Sequence, residues 1–220
     1  MPPHTIFLAG GTGYMGRKLI PELLARGNEV RALVRPGSGG KLPPGCEPVA
    51  GNALDSASFA AGVPGADTWV HLIGVAHPAP WKGDQFRAVD LASVRAAVAA
   101  AVTAGVRHFA YVSVARPAPV MRAYIEVRAA CEALIRDAGL NATFLRPWYV
   151  LGPGHRWPLL LQPAYWLLEQ LPPTREAARR LGLVTLEQMI AALVWAVENP
   201  APGVRVLGVP DIVLAGRSAP

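Results

Sequence analysis

TIFLAGGTGYMGRKLI, residues 5–20, is the stretch that decides the fold of this chain. An apolar run with the character of a β-strand leads into a cluster of glycines, and a helical pattern follows. The glycines fit two overlapping spacings, Gly11-x-Gly13-x-x-Gly16 and Gly10-x-x-Gly13-x-x-Gly16. Glycine permits a tight turn, lets a phosphate approach the backbone, and lets the helix pack closely on the strand. The helix start then attracts negative charge, so the stretch predicts a site for the phosphates of a dinucleotide.

Length and composition describe a globular chain. It has 220 residues, of which 52% are hydrophobic and 16% are charged, and this favours one domain with a full core. No apolar run reaches the length of a membrane span, and Pro2, Pro3 and His4 stand where a signal peptide would be basic and then apolar. Cys46 and Cys131 show neither metal-ligand spacing nor a disulfide framework. We therefore expect a cytoplasmic protein without a metal site.

The net charge of +6 raises the question of a nucleic-acid partner. However, the lysines and arginines are dispersed, and no basic run with interleaved aromatic residues is present. Solvated positive faces and a phosphate-bearing cofactor account for the charge. We expect no nucleic acid among the partners.

Strand and helix patterns alternate along the first two thirds of the chain. After the opening strand we predict strands at Glu29–Val34, Glu47–Ala50, Thr68–Ile73, His108–Val112 and Ala142–Leu145. Helices are predicted at 14–26, from Asp55 or Ser56 to about Gly62, at Gln85–Ala104, at Met121–Ala138 and at Thr185–Glu198, the last capped by Thr185. This alternation predicts an α/β fold with a Rossmann-type, doubly wound parallel sheet.

The C-terminal region, 151–220, is expected to form a small apolar cap with a helix and a late strand, Val204–Val209, within one domain of residues 1–220. Its segment Trp157–Leu171 is rich in tryptophan and leucine and could be a substrate lid, a dimer contact or a membrane-surface helix. Glu169 and the scarcity of positive charge favour a lid or a contact. The tail from Gly216 is expected to be loose.

Ligands of doubly wound sheets bind beyond the carboxyl ends of the strands, so the residues there are candidates. Arg35 follows the second strand, where an arginine can receive the 2′-phosphate of NADP and a carboxylate would favour NAD; the alternative is a surface arginine. Asn52 follows the third strand, and either an adenine contact or a turn explains it. Gly74 follows the fourth strand and would let the backbone lie close to a cofactor.

A candidate catalytic group follows the fifth strand. Ser113 directly follows that strand, and helical spacing places Tyr124 beside Arg128. A tyrosine hydroxyl can pass a proton to a developing alkoxide if a neighbouring cation lowers its pKa, and a serine hydroxyl can bind the same oxygen. The alternative for each residue alone is an ordinary structural role.

These motifs, with Arg146-Pro147 through Gly152-Pro153-Gly154, resemble the atypical and extended branch of the short-chain dehydrogenase/reductase superfamily, including NmrA-like and epimerase-like proteins, over residues 4–210. The resemblance implies that Tyr124 exchanges the proton, that Ser113 positions the substrate oxygen, and that Arg128 holds the nicotinamide ribose. The family has lysine at the position of Arg128 and often asparagine at that of Asp90. The expected cofactor-binding residues are Gly10, Thr12, Gly13, Tyr14, Met15, Gly16, Arg35, Asn52, Ala53, Gly74, Pro147 and Val150.

The sequence therefore predicts an oxidoreductase that uses NADP, with NAD as the alternative, and a small, apolar carbonyl substrate. A second hypothesis is a protein that binds NAD(P) as a sensor or interaction module without turnover, because lysine is replaced by Arg128. A nucleotide-sugar epimerase is a third, which the short C-terminal region argues against. A homodimer is left open.

Overall fold

The structure, a computed structural model, describes residues 4–118, 120–152 and 180–217. Within these ranges the strands are β1 (Thr5–Ala9), β2 (Glu29–Val34), β3 (Glu47–Ala50), β4 (Thr68–His71), β5 (His108–Val112), β6 (Ala142–Leu145), β7 (Tyr149–Leu151), β8 (Leu183–Thr185) and β9 (Val204–Leu207). The longer helices are α1 (Gly16–Ala25), α2 (Ala92–Thr103), α3 (Arg122–Asp137), α4 (Leu186–Glu198) and α5 (Val209–Arg217). The segment Trp157–Leu171 lies outside the described residues, so its three interpretations stay predictions.

Seven strands form one parallel sheet in the order β3-β2-β1-β4-β5-β6-β9, and β7 pairs with β8 in a separate sheet. The chain builds outward from β1 to β3 and then returns to place β4 on the other side of β1. Such a reversal leaves a crevice beyond the carboxyl ends of the strands, where ligands bind. The predicted Rossmann-type, doubly wound parallel sheet is confirmed.

The sheet separates two hydrophobic cores because its central strands are buried on both faces. Ile6 and Leu8 of β1 point to the side covered by α1, α4 and α5. Phe7, between them, points to the side covered by α2 and α3 and meets the ring of Trp69 at a centroid distance of 4.6 Å. Alternate residues of one strand thus hold both helical layers in place.

The C-terminal elements complete these layers. The Thr185 hydroxyl accepts a hydrogen bond from the Gln188 amide at 3.2 Å, and the Gln188 side chain accepts one from the Thr185 amide at 2.9 Å. This capping box begins α4, which packs on α1. β9 then pairs with β6 and forms one edge of the large sheet. No helix in the described ranges is both long and apolar enough to cross a bilayer.

Two predicted helices differ from the structure. The helix expected after Asp55 is a pair of 3-10 turns, Ser56–Ser58 and Ala60–Gly62, because Gly62 and Pro64 end the segment before a longer helix can form. Asp55, one of the two predicted caps, caps the first turn. The helix expected over Gln85–Ala104 opens with a turn and a π-helical stretch, Phe86–Leu91, before α2 begins.

The end of the chain also differs from the prediction. β9 stops at Leu207, because the Asp211 carboxylate accepts a hydrogen bond from the Gly208 amide at 2.9 Å and begins α5. The expectation of a loose tail from Gly216 is wrong for Gly216 and Arg217, which lie in α5. The small β7–β8 sheet was not predicted.

Candidate functional site

The turn between β1 and α1 requires glycine. The Gly13 amide donates to the Gly10 carbonyl at 3.0 Å and closes the turn. Gly10 has a φ of +99°, and a Cβ at Gly16 would lie 2.6 Å from the Cα of Gly11. A side chain at either position would strain the turn or push the helix away from it.

The first turn of α1 is open to an anion. Gly13 and Tyr14 are exposed, and Thr12 is half-buried. The helix has no acidic residue in its first turn, and no side chain caps it at Met15, which packs on the core below. The N–H groups of this turn therefore fit the pyrophosphate of a dinucleotide, which their partial positive charge would attract.

Tyr14 links this turn to the chain beyond β6. A side chain at Gly152 would collide with the Tyr14 hydroxyl, and its Cβ would lie 3.3 Å from that of Leu186. Burial raises the pKa of Tyr14, and the nearby Glu187 carboxylate raises it further. The glycine turn and the segment after β7 thus face one another across the carboxyl edge of the sheet.

The ends of β2 and β3 carry Arg35, Asn52 and Ala53. Arg35 is exposed, and its guanidinium takes no part in the salt bridges among the described residues. The Asn52 side chain accepts a hydrogen bond from the Leu54 amide at 3.1 Å, which is the turn-forming role that the sequence left open. Ala53 packs on the core under α2 and α3. Arg35 is therefore a cation that is available to a phosphate in this region, and the exposed Lys41 in the following turn is another.

Arg128 is buried rather than facing a solvent crevice. It pairs with Asp90 at 2.8 Å and donates to the Val112 carbonyl at 2.8 Å and the Tyr111 hydroxyl at 3.1 Å. Asp90 also accepts a hydrogen bond from the Val75 amide at 2.9 Å. The Arg128–Asp90 ion pair thus connects α3 and the π-helical stretch to the carboxyl ends of β4 and β5.

Gly74 makes room for this ion pair. A side chain there would collide with the Arg128 guanidinium, and its Cβ would lie 3.2 Å from Oδ1 of Asp90. Gly74 is itself exposed. The glycine predicted to admit a cofactor on one side therefore has a second reason to be glycine, which the sequence did not reveal.

Tyr124 lies between Phe86 and Arg128. Its ring centroid is 5.0 Å from that of Phe86 and 5.0 Å from the Arg128 guanidinium carbon. Burial raises the pKa of Tyr124 above its ordinary value, and the Arg128 charge offsets only part of this effect. Arg128 does lower the pKa of Tyr124, but burial raises it by more, so the hydroxyl stays protonated at neutral pH. For Arg128, burial opposes the charged form, but Tyr111, Tyr124 and Asp90 raise its pKa well above the ordinary value.

Ser113 belongs to a different cluster. Its hydroxyl donates to Oε1 of Glu132 at 2.6 Å, and both residues are buried. Glu132 also pairs with Arg146 and Arg116, each at 2.6 Å, and with Arg136 at 2.9 Å. The structure therefore brings Tyr124 and Arg128 together but commits the Ser113 proton to Glu132.

The Glu132 carboxylate stays ionised despite complete burial. Burial opposes its charged form, but hydrogen bonds from Arg146 and Ser113 and the charges of Arg146 and Arg116 lower its pKa below the ordinary value. Sequence reasoning missed Glu132. The available signal was a carboxylate on the buried face of α3, four residues after Arg128.

Pro147 and Val150 follow β6. The Pro147 carbonyl accepts a hydrogen bond from the Ala115 amide at 2.9 Å, which ties the end of β6 to that of β5. Val150 lies in β7, pairs with Val184 and packs on the core beneath α4. Both residues shape the wall beyond β6, and their contact with a cofactor stays a prediction.

Two curated proteins are similar to this chain. A ceramide reductase from Caulobacter vibrioides is 28% identical over 202 residues, which are 90% of this chain and 62% of the relative. A 4-hydroxy-2-methyl-3-oxo-4-farnesyl-3,4-dihydroquinoline-1-oxide ketoreductase from Stigmatella aurantiaca is 30% identical over 109 residues, 49% of this chain and 32% of the relative. The chain thus spans less than two thirds of each relative.

The fold has relatives among solved structures. A short-chain dehydrogenase/reductase superfamily protein from Agrobacterium tumefaciens, crystallised with NAD, superimposes with a TM-score of 0.67 at 21% identity, covering 93% of this chain and 77% of that one. A family described as NAD(P)H-binding matches residues 10–155. Since this match covers more than half of the chain, the chain belongs to that NAD(P)H-binding family.

Proposed function

We propose that the protein is an NADP(H)-dependent oxidoreductase that transfers a hydride between the nicotinamide and the carbonyl group of a small, apolar molecule. The observation that carries the proposal is the open glycine turn at the reversal of the sheet, with the exposed Arg35 after the neighbouring strand. An arginine there complements the 2′-phosphate that distinguishes NADP from NAD.

Residues along the carboxyl edge would hold the cofactor. The amides between Gly10 and Gly16 would bind the pyrophosphate, and Arg35 the 2′-phosphate. Asn52 and Ala53 would lie along the adenine half. Gly74, Pro147 and Val150 would lie along the other half, where the bound nicotinamide supplies the hydride.

Tyr124 would hold the proton that the carbonyl oxygen needs on reduction. Its raised pKa keeps the hydroxyl protonated at neutral pH, which suits a proton donor. Arg128 would position this ring from below, since Asp90, Tyr111 and Val112 already occupy its guanidinium. Ser113 would orient the substrate oxygen, provided that its hydroxyl exchanges Glu132 for the substrate.

The names of the two curated relatives support a carbonyl substrate of low polarity. Both are called reductases, and ceramide and a farnesylated dihydroquinoline are molecules composed largely of hydrocarbon. Small ketones with aliphatic chains of increasing length are therefore the first substrates to test. The homodimer and the cytoplasmic location stay predictions, which sedimentation and cell fractionation would test.

The cofactor proposal is tested by titrating purified protein with NADPH and NADH while following nicotinamide fluorescence. We expect Arg35→Gln to weaken NADPH binding by about ten- to a hundredfold, the value of a hydrogen bond to a charged group, and to leave NADH binding unchanged. Arg87→Gln, also exposed, is the matched control. Equal affinity of the wild type for both cofactors would remove Arg35 as the selector.

The catalytic proposal is tested with Tyr124→Phe. The phenylalanine ring keeps the contacts with Phe86 and Arg128, so the melting temperature should not change. The rate of ketone reduction should fall by about 10²–10⁴-fold, as expected for the loss of a general acid. Full turnover by this variant would exclude Tyr124 as the proton donor.

A sensor without turnover is the second candidate, and the occupied terminal nitrogens of Arg128 and the occupied hydroxyl of Ser113 favour it. NADPH binding without turnover on a broad panel of ketones and quinones, together with binding of a protein partner that depends on the cofactor, would support this alternative.

A further inference from the structure

A pocket of about 280 Å³ lies at the opposite end of the sheet from Arg35. Arg116, Arg146 and Arg180 line it, with Val206 and Val209. These residues belong to the chain after β5, after β6 and before β8, to β9 and to the start of α5. The pocket therefore sits beyond the carboxyl ends of β5, β6 and β9, and we call it the arginine pocket.

Positive charge exceeds negative charge in the arginine pocket. Glu132 beneath it is shared by Arg116 and Arg146, whereas the Nε atom of Arg180 donates to the Pro117 carbonyl at 3.2 Å. At the rim, the Asp211 carboxylate binds the Gly208 amide. Counting only residues that the structure describes, three guanidiniums thus lie near two carboxylates, and each carboxylate already has its partners.

Each of these guanidiniums keeps free N–H donors. Arg116 uses Nη2 for Glu132, and Arg146 uses Nε and Nη2. In the described part of the chain, Nη1 of both residues and both terminal nitrogens of Arg180 have no hydrogen-bond partner. The side chains of Arg116 and Arg146 are 26% and 20% exposed, so these donors are partly desolvated yet accessible. Planar guanidinium donors match the oxygens of a carboxylate or phosphate.

We propose that the arginine pocket binds an oxyanion, either a carboxylate or a phosphate, on the substrate side of the sheet. The cofactor phosphates do not account for it, because the glycine turn follows β1, three strand positions from β6, or about 14 Å at the usual strand spacing. The oxyanion is either part of the substrate or a free ion. The first source rests on the proposed reductase function, whereas the binding itself does not.

The binding test is calorimetric titration of the full chain with inorganic phosphate. Saturating NADPH is present so that phosphate cannot bind at the glycine turn. If NADPH does not bind, the titration is repeated in the Arg35→Gln variant, which removes Arg35 as a competing site for phosphate. We expect Arg180→Gln to weaken phosphate binding at least tenfold, Arg180→Lys to weaken it less, and Arg87→Gln to leave it unchanged. Absence of phosphate binding by the wild type, or an unchanged affinity in Arg180→Gln, would overturn the proposal.

A kinetic comparison separates the two sources. Acetophenone and 4-acetylbenzoate are matched ketones that differ by a carboxylate. If Arg180→Gln raises KM at least tenfold for 4-acetylbenzoate but not for acetophenone, the oxyanion belongs to the substrate. If Arg180→Gln abolishes phosphate binding while both KM values stay unchanged, the pocket binds a free anion. If the protein binds phosphate through Arg180 but reduces neither ketone, the proposal for the arginine pocket stands and the reductase proposal fails.

Discussion

Replacing Glu132 by glutamine would remove the one negative charge that three arginines and Ser113 share. The glutamine side chain has nearly the same shape, but it is neutral and offers one acceptor oxygen in place of two. Its NH₂ group would also meet guanidinium donors. Arg116, Arg146 and Arg136 would then face one another without a counter-charge around a fully buried side chain.

The expected loss of unfolding free energy follows from this geometry. Removing one partner of a buried ion pair costs about 3–5 kcal/mol. The three arginine side chains are 26%, 20% and 37% exposed, so water relieves part of their repulsion. We therefore expect a loss near the lower value, about 3 kcal/mol, which lowers the melting temperature by about 6–12 °C for a domain of this size.

Urea and thermal unfolding followed by circular dichroism would measure this loss. Glu126→Gln, an exposed carboxylate on the same helix, is the matched control and should change stability by less than about 0.5 kcal/mol. Because the folded pKa of Glu132 is lowered, its stabilisation is present above about pH 4.3, the unfolded pKa, and is lost as the pH falls through the folded pKa. Equal stability of the two variants at neutral pH, or a difference unchanged in acid, would refute the reasoning.

Other substitutions probe the remaining contacts. Gly16→Ala places a Cβ 2.6 Å from the Cα of Gly11 and should cost about 1–3 kcal/mol in thermal unfolding, with weaker NADPH binding in a fluorescence titration. Arg128→Met leaves the Asp90 carboxylate buried and unpaired, at a cost of about 3–5 kcal/mol in urea unfolding; adding Asp90→Asn should recover part of the loss. Thr185→Ala removes a helix cap, so unfolding should shift by about 1 kcal/mol while NADPH affinity is unchanged.

The strands could be predicted closely because their apolar runs are bounded by turn residues. β2, β3, β5 and β6 have the predicted bounds. The elements that differed depend on contacts beyond the local pattern. α5 begins where the Asp211 carboxylate accepts a hydrogen bond from the Gly208 amide, and Pro210 lies in its first turn, where proline is tolerated.

The candidate site was predictable where one motif carries it and unpredictable where distant residues meet. The glycine turn is local, so its spacing was sufficient. The partners of Ser113 and Arg128 lie on other elements, Glu132 on α3 and Asp90 in the π-helical stretch. No local period predicts such pairings, and they decide whether a hydroxyl or guanidinium remains available for chemistry.

The edge strand β9 has a consequence for aggregation. Its side chains Val204 and Val206 are 41% and 39% exposed, and among the described strands only β6 pairs with it. An exposed edge of this kind can template another chain, which a charged residue discourages. Arg205 interrupts the valines, and its guanidinium carbon lies 4.9 Å above the Trp195 ring. Resistance to aggregation at this edge therefore depends on one arginine, and Arg205→Val would leave a continuous apolar strand prone to self-assembly.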